Sequence, residues 1–300
     1  MTAQQFPTLD SIARPSGGLA MVAMDQRESL RTMFDFAGSG RPADEVLVRF
    51  KLDVADALAP LASGFLIDRH YGFDRLRDGR LLPESAGLIL AADALTQADG
   101  GPVEETELDE VVFAPGFDLT GVAALKLLII WRRDEKREHR VQLVRDFVVA
   151  ARERGVLSVV EPVVRATPGE LDAGSWDTDV AIREAARELS PLGASLYKVQ
   201  VPLSGRGSAA EQQAASDELG RTITGPWVVL SQGVERDAFY AAVEAACRGG
   251  ASGFLAGRAL WSDIVGSDDV TAALRRTSVP RLERLVELVD REARPWRQAS

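Results

Sequence analysis

The chain has 300 residues, is 46% hydrophobic, and carries a formal charge of −10 with an isoelectric point near 4.9. So acidic a chain argues against a nucleic-acid partner, because phosphate binding needs a basic face. The single cysteine, Cys247, excludes an internal disulfide, and no apolar run reaches the length of a membrane span.

The first residues show no charged region followed by an apolar one, so no secretory signal is read and a cytoplasmic location is expected. After a lead-in of about 15 residues, apolar strand-like runs alternate with longer amphipathic segments. Residues 18–25 form the first run. Residues 42–61 read as a helix, with Val46, Phe50, Val54 and Leu58 at a spacing of four. Residues 63–68 and 86–91 are the second and third strands, separated by a short helix over 71–78. Residues 100–108 are polar and acidic and form an excursion. Residues 123–131 are the fourth strand, followed by a charged helix over 134–154 that stops at Gly155. Strands over 157–164, 194–201, 227–231 and 253–256 alternate with helices over 177–190, 207–221 and 235–249. A short helix starts near Arg258, a last helix spans 279–292, and the tail from about 295 is expected to fray.

Eight buried runs interleaved with helices predict one α/β domain over residues 1–300, a (β/α)8 TIM barrel. The runner-up, an open doubly wound sheet, lacks a glycine-rich dinucleotide turn after its first strand.

Lysine usage points to a site. Only four lysines occur, Lys51, Lys126, Lys136 and Lys198, against 31 arginines. Arginine serves wherever a generic positive charge is wanted, so a retained lysine suggests chemistry that arginine cannot do, such as imine formation. Lys136 sits in the run 132–140, which reads as a solvated helix face, and Lys51 reads as a surface or rim residue. Lys126 and Lys198 lie inside apolar strands, where burial disfavours a charged amine. Either lysine could instead be an ion-paired core residue with no chemistry.

Barrel chemistry gathers at the carboxyl ends of the strands. Those positions hold Asp25-Gln26-Arg27, Asp68-Arg69-His70, Lys126, Glu161, Lys198, Ser231-Gln232-Gly233 and Gly257-Arg258. Two amines, several carboxylates and several anion binders suit imine chemistry on a phosphorylated ketose. Each has a plainer role too: Asp25 as a helix cap or a partner of Arg27, Glu161 as a structural partner of a lysine, Arg258 as a surface residue. The glycine-rich run Gly249–Arg258 and Ser231-Gln232-Gly233 fit a phosphate site after strands seven and eight, where N–H groups converge. Two histidines, His70 and His139, are too few for a zinc-dependent aldolase. No cofactor is expected, although magnesium held by carboxylates alone stays open.

Five stretches carry a family resemblance: Ser16–Glu28, Leu125–Arg132, Val160–Arg165, Leu196–Val199 and Ala251–Trp261. Together they resemble the sulfofructose-1-phosphate aldolases of sulfoglycolysis, close relatives of the class I tagatose-1,6-bisphosphate aldolases. The resemblance covers about residues 10–292. It implies a TIM barrel and a lyase that cleaves 6-deoxy-6-sulfofructose 1-phosphate, from sulfoquinovose catabolism, to dihydroxyacetone phosphate and sulfolactaldehyde. It also implies roles: Lys198 as the imine-forming lysine, Lys126 as the second lysine, Glu161 as the acid/base and Asp25 as the strand-one aspartate. Ser231, Gln232, Gly233, Gly257 and Arg258 would then receive the 1-phosphate. Gln26, Arg27, Arg69 and His70 would receive the far anion. A phosphorylated sulfosugar is the expected partner, with no nucleic acid and no membrane, and a homo-oligomer is expected. Two alternatives are a tagatose or fructose 1,6-bisphosphate aldolase and a non-catalytic sugar-phosphate-binding regulator on the same barrel.

Overall fold

In a computed structural model the structure describes residues 6–98 and 100–299. Eight parallel strands close into a barrel: β1 (Leu19–Met24), β2 (Gly64–Asp68), β3 (Gly87–Ala91), β4 (Val122–Trp131), β5 (Leu157–Val164), β6 (Leu196–Val199), β7 (Trp227–Val229) and β8 (Gly253–Ala256). Each strand pairs with its chain neighbours, and β8 closes the ring on β1, with Leu19 opposite Gly253. Helices return the chain between strands, among them α1 (Glu28–Phe34), α2 (Asp44–Leu58), α3 (Phe73–Asp78), α4 (Glu110–Phe113) and α5 (Arg137–Glu153). This is the expected (β/α)8 barrel.

Period-two alternation sorts every strand into two faces. Outward residues such as Val22, Leu90, Leu127, Val160 and Tyr197 join the large core between strands and helices. Inward residues form a second, smaller core: Leu19, Met21 and Ala23 from β1, Ile89 and Ala91 from β3, Ala124 from β4, Leu157 and Val159 from β5, and Leu196 from β6. The next inward step on the same strands is polar, and that step carries the site.

The lower end of the barrel is plugged. Leu9 and Ile12, in a turn of 3-10 helix over Leu9–Ile12, join the inner core. The plug lies so close to β3 that a Cβ on Gly87 would sit 2.1 Å from the Ser11 carbonyl oxygen, so only glycine fits there. The tail does not fray as expected. Arg294 N donates to the Ala251 carbonyl at 3.0 Å and Trp296 N to the Gly17 carbonyl at 3.0 Å, so residues 294–299 seal the same end.

Three further local expectations change. The α2 stripe that faces the core is Leu47, Phe50, Lys51, Val54 and Leu58, while Val46 is exposed. A spacing of four overshoots the helical turn, so four residues at that spacing drift off one face. Lys51, read as a rim residue, is fully buried and ion-paired to Asp68. The 132–140 run is not simply solvated either. Arg140 is buried and reaches Glu105 at 3.1 Å, and Arg132 reaches Glu104 at 2.8 Å. These residues anchor the acidic excursion, which is an antiparallel hairpin of Asp93–Gln97 and Val103–Leu108 standing on β3.

Candidate active site

The cavity at the carboxyl ends of the strands holds about 750 Å³. Its floor is built from the inward residues that follow the apolar inner core. On β1 the series Leu19, Met21, Ala23 continues to Asp25. On the β3 side Ile89, Ala91 leads to Asp93, on β4 Ala124 to Lys126, on β5 Leu157, Val159 to Glu161, and on β6 Leu196 to Lys198. Four of these five are the residues expected to do chemistry. The strand register brings them together from β1, β4, β5 and β6.

Lys126 is surrounded by carboxylates. Its Nζ donates to Asp25 Oδ2 at 2.6 Å and to Asp93 Oδ2 at 3.1 Å, and lies 3.0 Å from Glu161 Oε2. Burial disfavours its charge, but Asp25, Asp93 and Glu161 outweigh burial and hold the ammonium well above the usual lysine range. Lys198 is different. Among the described residues its Nζ contacts one carboxylate, Glu161 Oε1, at 2.9 Å. Glu161 therefore stands between the two amines with one oxygen toward each.

Asp25 and Asp93 complete the base of this cluster. Burial would raise the Asp25 carboxyl, but Lys126 and then Lys198 overcome it and hold the group well below the usual carboxylate range. Asp93 is 1% exposed, accepts from Leu128 N at 3.0 Å, and pairs with Arg27 at 2.7 Å. The sequence reading missed Asp93. It follows β3 at the same inward register as Asp25 on β1, and that spacing was its available signal.

The anion-binding candidates divide into two groups. Ser231, Gln232, Gly257 and Arg258 line the cavity beside β7 and β8, while Gly233 lies in the turn beyond and does not line it. Gln26 belongs to this group and not across the mouth. A Cβ on Gly257 would lie 3.1 Å from Gln26 Nε2, because β1 and β8 are neighbours in the closed ring. The same Cβ would stand 2.5 Å from the Ala23 carbonyl oxygen, so glycine here lets the β8 turn pass β1. Burial lowers the Arg258 guanidinium, against Glu161 and Asp25, which support its charge.

Arg27, Arg69 and His70 line the far side. Arg27 is tied to Asp93 and Arg69 to Asp109 at 2.6 Å, so both guanidiniums already have a counter-charge. Burial, then Arg69 and Arg27, lower His70 below its ordinary range, so it faces the cavity as a neutral imidazole near pH 7. Asp68 faces away from this chemistry. It holds Lys51 and accepts from His70 N at 2.9 Å and Tyr71 N at 3.0 Å, shaping the turn after β2.

The site thus holds one amine beside a single described carboxylate, and a second amine held as a cation among three. Among the described residues no group of three or more His, Cys, Asp or Glu is arranged to hold a metal ion. The carboxylates converge on an ammonium instead. Among the described residues no helix is long and apolar enough to cross a membrane.

Comparison with known proteins agrees with this chemistry. A family model described as DeoC/LacD family aldolase matches residues 19–263, from the start of β1 to just past β8. Over 324 aligned positions the chain is 25% identical to a tagatose 1,6-diphosphate aldolase of Listeria monocytogenes, covering 99% of this chain and 94% of that one. It is 24% identical to tagatose 1,6-diphosphate aldolase 2 of Streptococcus pyogenes, covering 93% of each. Among solved structures, an archaeal fructose-1,6-bisphosphate aldolase, its catalytic lysine covalently bound to the carbinolamine intermediate, shares the fold. Its TM-score is 0.59 at 17% identity, over 94% of this chain and 98% of that one. The chain belongs to the DeoC/LacD aldolase family and is a class I aldolase, a carbon–carbon lyase.

Proposed function

We propose that the chain cleaves a ketose 1-phosphate that carries a second anion at C6, through an imine on Lys198. The observation that carries this reading is the position of Glu161, 2.9 Å from Lys198 Nζ and 3.0 Å from Lys126 Nζ. Of the two buried lysines, Lys126 is held as an ammonium by three carboxylates and has no free electron pair for attack. Lys198, beside Glu161 alone among the described carboxylates, is the nucleophile.

The steps follow from this placement. Lys198 Nζ attacks the C2 carbonyl carbon, and the oxygen takes a proton to give a carbinolamine. A proton that Glu161 takes from the ammonium form of Lys198 before attack passes to that hydroxyl, which leaves as water, and the C2–N bond becomes an iminium. Glu161, again a carboxylate, accepts the C4 hydroxyl proton as the C3–C4 bond breaks. The electron pair of that bond moves into the iminium and forms an enamine, and the aldehyde half departs. Protonation at C3 and hydrolysis then release dihydroxyacetone phosphate and restore the amine. The iminium is the electron sink at the bond-breaking step. The 1-phosphate is assigned to Ser231, Gly257, Arg258 and Gln26, where a hydroxyl, a helix start, a guanidinium and an amide meet.

Within this class the preferred substrate is 6-deoxy-6-sulfofructose 1-phosphate, giving sulfolactaldehyde as the second product. The sequence resemblance supports this choice. The second reading is tagatose or fructose 1,6-bisphosphate, and the names of the curated relatives favour it. Cleavage rates of the three sugars, measured side by side, decide between them. The highest kcat/KM is expected for the sulfosugar, and a bisphosphate cleaved more efficiently would replace that substrate while leaving the imine mechanism in place.

A further inference from the structure

Four arginines line the cavity: Arg27, Arg69, Arg165 and Arg258. Arg27 and Arg69 each have a carboxylate at 2.7 Å and 2.6 Å. Among the described residues Arg165 and Arg258 have no carboxylate within 4.0 Å, and Arg165 Nε is buried without a hydrogen-bond partner. Arg165 is half-buried, and a buried guanidinium nitrogen without a partner carries a cost that an incoming anion near the group reduces. Arg258 is already placed at the 1-phosphate. Arg165 is left over.

Its location fits the other end of the same substrate. Arg165 continues the inward series of β5: Leu157, Val159, Glu161, Val163, Arg165. It therefore stands above Glu161 on the same wall, roughly 13 Å further along at the usual rise of an extended strand. The long arginine side chain and the outer carbons of a ketose held at Lys198 together bridge such a gap. In ring order β6, with Lys198, lies between β5, with Arg165, and β8, with Arg258. The two uncommitted cations thus flank the imine lysine, one on each side.

The backbone at Arg165 is fixed. Its N donates to the Trp131 carbonyl at 2.9 Å, and the preceding Val164 N donates to Gln200 Oε1 at 2.8 Å. Neighbouring strands β4 and β6 therefore hold the arginine's position. Burial works against its charge, Glu104 supports it from a distance beyond ion-pair contact, and Arg132 opposes it.

We infer that Arg165 is the specificity residue that binds the anion at C6 of the substrate, sulfonate or phosphate. The inference rests on the imine reading above and deepens it. It moves the far-anion role from Arg27 and Arg69 to a residue the sequence reading did not select. Arg165 also borders a small side recess with Glu104, Arg132 and Trp176, so its direction is a real point of test.

The test uses the reverse reaction, in which C3 of dihydroxyacetone phosphate bonds to an aldehyde carbon. The 1-phosphate end is then constant and the far anion alone varies. The aldehydes are 3-sulfolactaldehyde, D-glyceraldehyde 3-phosphate and uncharged D-glyceraldehyde. In Arg165→Ala, the ratio of kcat/KM for the better charged aldehyde to that for glyceraldehyde should fall on the order of 100-fold, the usual scale for a charged hydrogen-bond pair. Arg165→Lys should recover part of the ratio. The larger loss, between the two charged aldehydes, marks which anion the residue favours. Borohydride trapping of dihydroxyacetone phosphate on Lys198, retained in the variant, shows the fold and the imine intact. An unchanged ratio overturns the inference, whether both rates fall together or neither falls. Failure of trapping in the wild-type protein would overturn the imine reading instead.

Discussion

The barrel interior has two halves drawn from the same strands, one inward step apart. Below are Leu19, Met21, Ile89, Ala124, Leu157, Val159 and Leu196, closed off by Leu9 and Ile12. Above are Asp25, Asp93, Lys126, Glu161 and Lys198, joined by ion pairs of Lys126 with Asp25, Asp93 and Glu161 and of Lys198 with Glu161. The lower half is close-packed hydrocarbon and stabilises the fold by burial. The upper half sets opposite charges against each other in a desolvated site, where a buried pair adds little net stability. Two residues along a strand separate a group packed in hydrocarbon from one in the charged cluster that the proposed mechanism uses. Substitutions in the two halves should therefore separate rate from stability.

The largest effect is expected at the nucleophile. Lys198→Ala should lower kcat by on the order of 10⁴–10⁶-fold, the scale seen when a covalent nucleophile is removed. It should also abolish borohydride trapping with dihydroxyacetone phosphate, which mass spectrometry reads as a single adduct on the wild-type chain. Wild-type adduct mapped to Lys126 would reverse the assignment of the two lysines. Glu161→Gln comes next, with kcat lowered on the order of 10²–10⁴-fold as for loss of a general acid–base. Its lysine remains, so slow trapping at Lys198 should persist. An unchanged kcat would make Glu161 a structural partner only.

Below the site, Ile12→Ala removes a fully buried side chain from the plug. Unfolding in urea should show a loss of about 2–5 kcal/mol, the usual range for such a truncation. The kcat of the folded variant should match wild type. A fall in kcat comparable to that of Glu161→Gln would erase the division between the halves.

The comparison also explains what the sequence could disclose. Strand positions and the inward alternation are local properties, so Asp25, Lys126, Glu161 and Lys198 were legible as strand-end residues. What each touches is not local. Lys51 lies on a helix face that looks amphipathic whether its lysine is buried or snorkels to water, and only the Asp68 carboxylate on β2 decides it. Gln26 and Arg27 are adjacent in sequence but serve opposite sides of the mouth, Gln26 beside Gly257 and Arg27 on Asp93. The excursion after β3 was recognised as polar, but its pairing as a hairpin anchored by Arg132 and Arg140 depends on distant partners. Arg165 ends the stretch Val160–Arg165, and nothing in a sequence distinguishes an arginine with a carboxylate from one without.

The smallest expected effect is a change in the shape of the pH–stability curve. Asp25 carries a carboxyl held below its ordinary value of 3.8; burial alone would raise it, but Lys126 and Lys198 prevail. A carboxyl depressed in the folded state contributes stability that is fully present above the unfolded value and is lost as pH falls through the folded one. The window therefore opens near pH 3.8 and extends downward. In Asp25→Asn that contribution is absent at every pH. Stability measured in urea between about pH 5 and 2.5 should fall less steeply for this variant, with a difference on the order of 1 kcal/mol across the window. Ile12→Ala has no titrating group to lose, so its curve should run parallel to wild type and lie below it. The two halves of the barrel then differ in how their variants respond to acid as well as in rate. Identical slopes for wild type and Asp25→Asn would show that the charged cluster contributes nothing to folding that depends on this carboxylate.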